Sequence, residues 1–258
     1  VIGFNVVLLS ELVEEFVDQD IDVLHFPGDL VSGLFSSSND VFEAQLRTWT
    51  QIMAPVYDAN IAVYAGRGNH EVRAYSPDPN DTYAHRWLNV FGRDSDPNIR
   101  LPDNGPPGEE YMTYSVTHKN AFIVMLDQYD GIAHRQEHKV NQAWLDAQLA
   151  ANTKPHIFLT GHEPAFKTRN REGLDDYPDL RDALWASILN NTGRIYLCGH
   201  DHYYNHARID DGDPNNDARQ YIVGTAGAPL YAWDGIYPGD NSRYTPVSLH
   251  YARAYGYL

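Results

Sequence analysis

Short apolar runs alternate along the chain with amphipathic stretches, the arrangement expected of repeated βα units. Asn5 is placed to cap a helix in which Leu9, Leu12, Val13, Phe16 and Val17 fall on one face. Residues 22–26 read as a strand. Asp40-Val-Phe-Glu43 has the spacing of a capping box, and Phe42, Leu46, Trp49, Met53 and Val56 continue at helical intervals. A strand at 61–65 and a helix at 82–91 follow, then a loop at 92–108 rich in Pro, Gly and Asp. Beyond it, 111–118 and 121–127 read as a hairpin turning at Lys119-Asn120. Helices at 141–151 and 180–189 alternate with strands at 156–160 and 194–198. The segments 207–209, 220–223 and 247–258 read as further β-structure. Parallel units early and antiparallel strands late predict an α/β fold: two packed mixed β-sheets flanked by helices, in a single domain over 1–258.

Composition narrows the function classes. A hydrophobic fraction of 43% supports a buried core and excludes a disordered chain. Nineteen Lys and Arg face 35 Asp and Glu, a formal charge of −16. That balance repels phosphate backbones and anionic lipid, so neither nucleic acid nor a membrane surface is an expected partner. The single Cys198 excludes an internal disulfide and a cysteine-based zinc site. Twelve His in so acidic a chain supply, with the carboxylates, a ligand set for divalent metals.

Position gives those histidines meaning. Gly28-Asp29, Gly68-Asn69-His70-Glu71, Gly161-His162-Glu163-Pro164 and Gly199-His200-Asp201-His202 each follow directly on an expected strand. Alone, each has an ordinary explanation: a turn, a helix cap, a core imidazole. The carboxyl ends of strands in an α/β sheet share one edge, however, and ligands bind in the crevice there. Four loops thus deliver an Asp, an Asn and four His to that edge, with glycines permitting tight turns. The run 210–217, though rich in Asp, lacks the terminal Glu of a calcium loop and reads as a solvated turn.

In their order, Asp29, Asn69-His70-Glu71, His162 and His200-Asp201-His202 resemble the motifs of the calcineurin-like metallophosphoesterases. Gln142-Ala-Trp-Leu-Asp-Ala-Gln-Leu149 and Gly224-Thr-Ala-Gly-Ala-Pro-Leu230 extend the resemblance over most of the chain. It implies a centre of two divalent metal ions acting on a small phosphate ester. In that assignment Asp29 bridges both ions, Asn69, His162 and His200 complete one, and His202 serves the other. His70 lies outside the ligands and assists the substrate phosphate or the leaving group. The implied reaction is hydrolysis of a phosphomonoester or phosphodiester by a hydroxide activated between the two metals. The alternative is a non-catalytic relative that keeps the fold and one metal as a binding or scaffold module.

Two departures qualify the resemblance. The family's Asp-X-His motif after the first strand is absent, and Val1-Ile2-Gly3 runs straight into the Asn5 helix. We therefore expect a further segment between Gly3 and Phe4 in the natural protein. The position three residues after Asp29, a metal-binding tyrosine in purple acid phosphatases, is Ser32. Mn, Fe or Zn held by nitrogen and oxygen ligands is then expected rather than an iron–tyrosinate pair. Arg67, Arg73, Arg169 and Arg171 flank the clusters as candidate phosphate contacts, and Tyr231, Trp233 and Tyr237 as stacking or packing aromatics.

Overall fold

The computed structural model describes residues 4–72, 78–133 and 138–258. The junction between Gly3 and Phe4 and the side chain of Arg73 lie outside the described residues.

Helix α1 (Val6–Asp18) begins where expected, Asn5 Oδ1 accepting from the Leu8 N–H at 3.2 Å. Strand β1 (Val23–Phe26) follows and pairs in parallel with β2 (Ala62–Ala65). Between them the expected single helix is broken in two, α2 (Asn39–Ile52) and α3 (Ala54–Asp58). Pro55 in the first turn of α3 has no N–H to continue the α2 ladder, so the chain restarts at Met53. Phe42, Leu46, Trp49, Met53 and Val56 are nevertheless all buried, so the apolar periodicity survives the break. The cap of α2 is also not where the box spacing placed it. Ser38 accepts from Val41 N–H at 3.3 Å, which frees Asp40 and Glu43 to meet Arg86 from α4 (Tyr83–Phe91).

The hairpin is β3 (Tyr114–His118) and β4 (Ala121–Met125), with Lys119 at φ 51° in its turn. Helix α5 (Gln142–Ala151), strand β5 (His156–Thr160), helix α6 (Pro178–Asn190) and strand β6 (Ile195–Cys198) then alternate. Strands β7 (Tyr204–Asp210), β8 (Ala218–Val223) and β9 (Thr245–Ala252) complete a seven-stranded mixed sheet in the order β3-β4-β5-β6-β8-β7-β9. The architecture is the expected pair of sheets flanked by helices, except that the smaller is a purely parallel pair and only the larger is mixed. The run 210–217 is the turn joining antiparallel β7 to β8.

Each sheet has its own core. Helices α1, α2 and α4 pack Leu9, Phe16, Leu46, Trp49 and Trp87 with Phe26 and Ala65 of the small sheet. Helices α5 and α6 bury Leu145, Leu149, Leu184 and Trp185 on the outer face of the large one. Alternation along β4 divides Phe122 and Val124 from Met125, which joins the first core. Between the sheets lies an apolar cleft of about 850 Å³, lined by all four residues of β1 and by Ile123, Phe158 and Leu197. Because β1 pairs with β2 on one side only, its other edge borders this cleft. No helix among the described residues is long and apolar enough to cross a membrane.

Candidate metal centre

The four polar clusters do meet at one edge. The loops after β1 and β2 touch backbone to backbone: a Cβ on Gly28, at φ +88°, would lie 2.5 Å from Gly68 N, and one on Gly68 would overlap Asp29 Oδ1. Asp29 itself sits at φ 53° and His200 at φ 66°, left-handed conformations that cost energy in residues with a side chain. The surrounding contacts hold both. Asp29 Oδ1 accepts the His70 backbone N–H at 3.0 Å. Glu71, fully buried, accepts N–H bonds from Asp29, Val31 and Gly68 at 2.9, 3.2 and 2.8 Å, stitching the two loops together. Burial and the negative charge of Asp29 push the Glu71 carboxyl up to about 8, against the pull of the Gly68 and Val31 amides.

Asp29, His162 and His200 present ligand atoms that all lie within 4.8 Å of one another. Asn69 joins them: its Oδ1 is 3.1 Å from both His162 Nε2 and His200 Nδ1. His162 Nε2 is in turn 3.2 Å from His200 Nδ1 and 3.3 Å from Asp29 Oδ2. Metal–ligand bonds of about 2.1 Å put neighbouring ligand atoms about 3.0–3.4 Å apart, so the observed spacings are those of a coordination shell.

The hydrogen-bond chemistry supports the same conclusion. His162 Nδ1 lies 2.7 Å from the Pro27 carbonyl, so Nδ1 carries the proton and donates. Nε2 of the neutral ring is then a bare lone pair facing two acceptor oxygens and a second imidazole. Acceptors converging on a point require a cation. A proton partly fills that role: burial opposes charge on His162, yet Asp29 outweighs it and raises the imidazole to about 9. Burial likewise opposes ionisation of Asp29, but His162, aided by His70 and His200, holds the carboxyl below its usual range. The residues fit a divalent cation with O, O, N, N donors.

His202 stands apart. Its Nδ1 donates to the Pro229 carbonyl at 2.9 Å, which orients the ring. Tyr231 stacks on it at 4.2 Å. No third ligating side chain joins Asp29 and His202 among the described residues. His70 is half-buried, edge-on to Phe35 at 5.2 Å, and Phe35 is 78% exposed. Of the flanking arginines, Arg67 is wholly buried and bonds Asp127 through two 2.8 Å contacts, a structural brace rather than a phosphate contact. Trp233 packs with Tyr203, Tyr237 and Tyr251, and of the three late aromatics Tyr231 reaches His202.

The profile of the calcineurin-like phosphoesterases matches residues 4–204, most of the chain. The chain belongs to that family. This phosphoesterase-family chain resembles solved structures at low sequence identity, which establishes the fold alone. A purple acid phosphatase from yellow lupin (Lupinus luteus) seeds superposes with a TM-score of 0.65 at 15% identity, over 98% of this chain and 44% of its own. PhoD gives 0.58 at 13%, over 88% of this chain and 55% of its own. GAP50, described as the anchor in the inner membrane complex of Plasmodium, gives 0.57 at 15%, over 96% and 73%. The chain thus spans under half the length of the lupin protein. None of the curated proteins matches the sequence.

Proposed function

We propose that this family member is a metal-dependent phosphoesterase that hydrolyses a small phosphomonoester or phosphodiester. The observation that carries the proposal is the convergence of Asp29, Asn69, His162 and His200 on one point, with His202 oriented beyond it. Asp29, Asn69, His162 and His200 would hold one divalent ion, and Asp29 with His202 would contribute to a second. Bound there, divalent ions polarise a phosphate ester and lower the pKa of an attacking water. The chain's own residues supply the rest. Asn69 and the three histidines are neutral ligands, so they leave positive charge available to an anionic transition state. Pro27 and Pro229, through their carbonyls, fix which nitrogen His162 and His202 present. His70, at the mouth and outside the ligand cluster, is placed to hold a proton for the leaving-group oxygen.

One observation favours a second reading, a one-metal module serving as a scaffold. The side of Asp29 that faces His202 has no third ligating side chain among the described residues, and GAP50, described as an anchor, shares the fold. Paired chromogenic mono- and diesters, offered to metal-stripped protein with Mn, Zn or Fe restored, separate the two. The enzyme reading expects metal-dependent hydrolysis that Asp29→Ala and His200→Ala abolish. Metal binding without hydrolysis of either ester supports the scaffold, and metal-independent hydrolysis would remove the mechanism.

A further inference from the structure

Beside His202 the mouth of the centre carries a second feature. The loop after β5 passes Thr168, Arg169 and Arg171 across the His200-Asp201-His202 segment. Buried Thr168 donates to Asp201 Oδ2 at 2.6 Å, tying the loop to the metal side. Just before it, the Lys167 N–H and ammonium bond Asp175 and Asp176 at 3.2 and 2.6 Å, fixing the loop's base. The two arginines are therefore carried on an anchored segment.

Their guanidiniums gather on Tyr231, the ring that stacks on His202. Arg169 Cζ lies 4.2 Å from the Tyr231 centroid and Arg171 Cζ 5.9 Å. Stacking on an aromatic face holds a guanidinium plane while leaving its N–H edge free. Nη1 of Arg169 is buried with no hydrogen-bond partner. Neither arginine forms an ion pair with a described residue, although the chain has 35 acidic side chains to 19 basic. His70, whose backbone N–H bonds Asp29, packs edge-on against the exposed ring of Phe35.

We propose that Arg169 and Arg171 form a subsite for a second oxyanion of the substrate, on the His202–Tyr231 side of the metal centre. The inference rests on the phosphoesterase reading and deepens it: the substrate class is a phosphate ester that also carries a carboxylate or another phosphate. A guanidinium fork matches both groups, and a pair of them supplies the charge that an acidic surface denies such a ligand elsewhere.

Phosphonates test this without turnover, because their C–P bond is not hydrolysed. Calorimetric titration of the metal-loaded protein would compare methylphosphonate, phosphonoacetate and propane-1,3-diyl bisphosphonate. The second oxyanion is expected to tighten binding about tenfold or more. Arg169→Gln and Arg171→Gln should each lose most of that gain, while the Arg169→Lys, Arg171→Lys double variant recovers part of it. A gain with phosphonoacetate identifies a carboxylate partner and a gain with the bisphosphonate a phosphate partner; either supports the subsite. If Arg169→Gln uncovers Tyr231 and unfolds, Arg171→Gln alone decides. Equal affinity for all three ligands, or a gain that survives the glutamine variants, overturns the proposal. Failure to hydrolyse any ester in the same samples would instead overturn the phosphoesterase reading and leave the subsite standing.

Discussion

The two flanks of Asp29 are built to different densities. On one, Asn69, His162 and His200 bring three donors within 3.1–3.2 Å of one another, beside Asp29 Oδ2 at 3.3 Å from His162 Nε2. On the other, His202 is oriented by Pro229 and no third ligating side chain joins it among the described residues. The dense flank draws on both sheets, with Asn69 after β2 and the two histidines after β5 and β6. The sparse flank rests on His202, two residues beyond His200 in the same loop after β6. A flank whose donors come from three separate loops on both sheets is preorganised for a cation; a flank with one histidine beside Asp29 is less so. Under the proposed function, affinity and reactivity divide between the flanks: the dense side would anchor a metal, and the mouth around His202 would meet the substrate.

Removing the shared carboxylate should break the comparison outright. Asp29→Ala takes a ligand from both flanks, so kcat/KM should fall by about a thousandfold or more, with the far-ultraviolet circular dichroism unchanged. Activity within tenfold of the parent would refute a bridging role. Next in size is the contrast between flanks. Even residues that only orient ligands cost about 10–100-fold in metal affinity, so His200→Ala should weaken the tightest site by at least about a hundredfold. His202→Ala should leave that site within about tenfold. Equal losses in the two variants, measured by competition with a metallochromic chelator, would erase the distinction.

Much of this was legible in the sequence, for a local reason. Asn5 caps its helix through its own side chain, and each candidate ligand cluster follows its strand with a glycine, so a few neighbouring residues suffice to place them. What was not legible is carried by distant backbone. The carbonyls of Pro27 and Pro229 orient His162 and His202, and a carbonyl leaves no signature in residue identity. Glu71 was visible in its motif, yet its role as acceptor for three N–H groups from two loops depends on a contact made only after folding. The helix break at Met53 and the capping of α2 by Ser38 were decided between competing local signals that each looked adequate. Arg67 shows the opposite failure, a cation close to a motif whose partner, Asp127, is 60 positions away.

Smaller effects sharpen the account of how the loops are held. Glu71→Gln keeps one acceptor oxygen and turns an amide NH2 toward N–H groups among those of Asp29, Val31 and Gly68. It should destabilise by about 1–3 kcal/mol in urea unfolding and loosen the dense flank before the sparse one. A neutral effect on both would mean that the stitch is dispensable. His138 offers the smallest test. It bonds Glu163, next to His162, at 2.8 Å, and that bond, outweighing burial and helped by Asp176 and Glu172, raises the imidazole above 6.5. A group with a raised folded value contributes stability that is complete below pH 6.5 and fades as pH climbs through that folded value. His138→Asn, which tolerates the local φ of 47°, should therefore cost about 1 kcal/mol at pH 6 and little at pH 9. A melting-temperature difference that stays constant with pH would contradict the assignment.

The most direct measurement is anomalous diffraction from zinc-loaded crystals. The account predicts a strong peak about 2.0–2.2 Å from Asp29 Oδ2, Asn69 Oδ1, His162 Nε2 and His200 Nδ1, with any second peak on the His202 side weaker. A loaded crystal with its metal elsewhere, and those four atoms still in contact with one another, would contradict it.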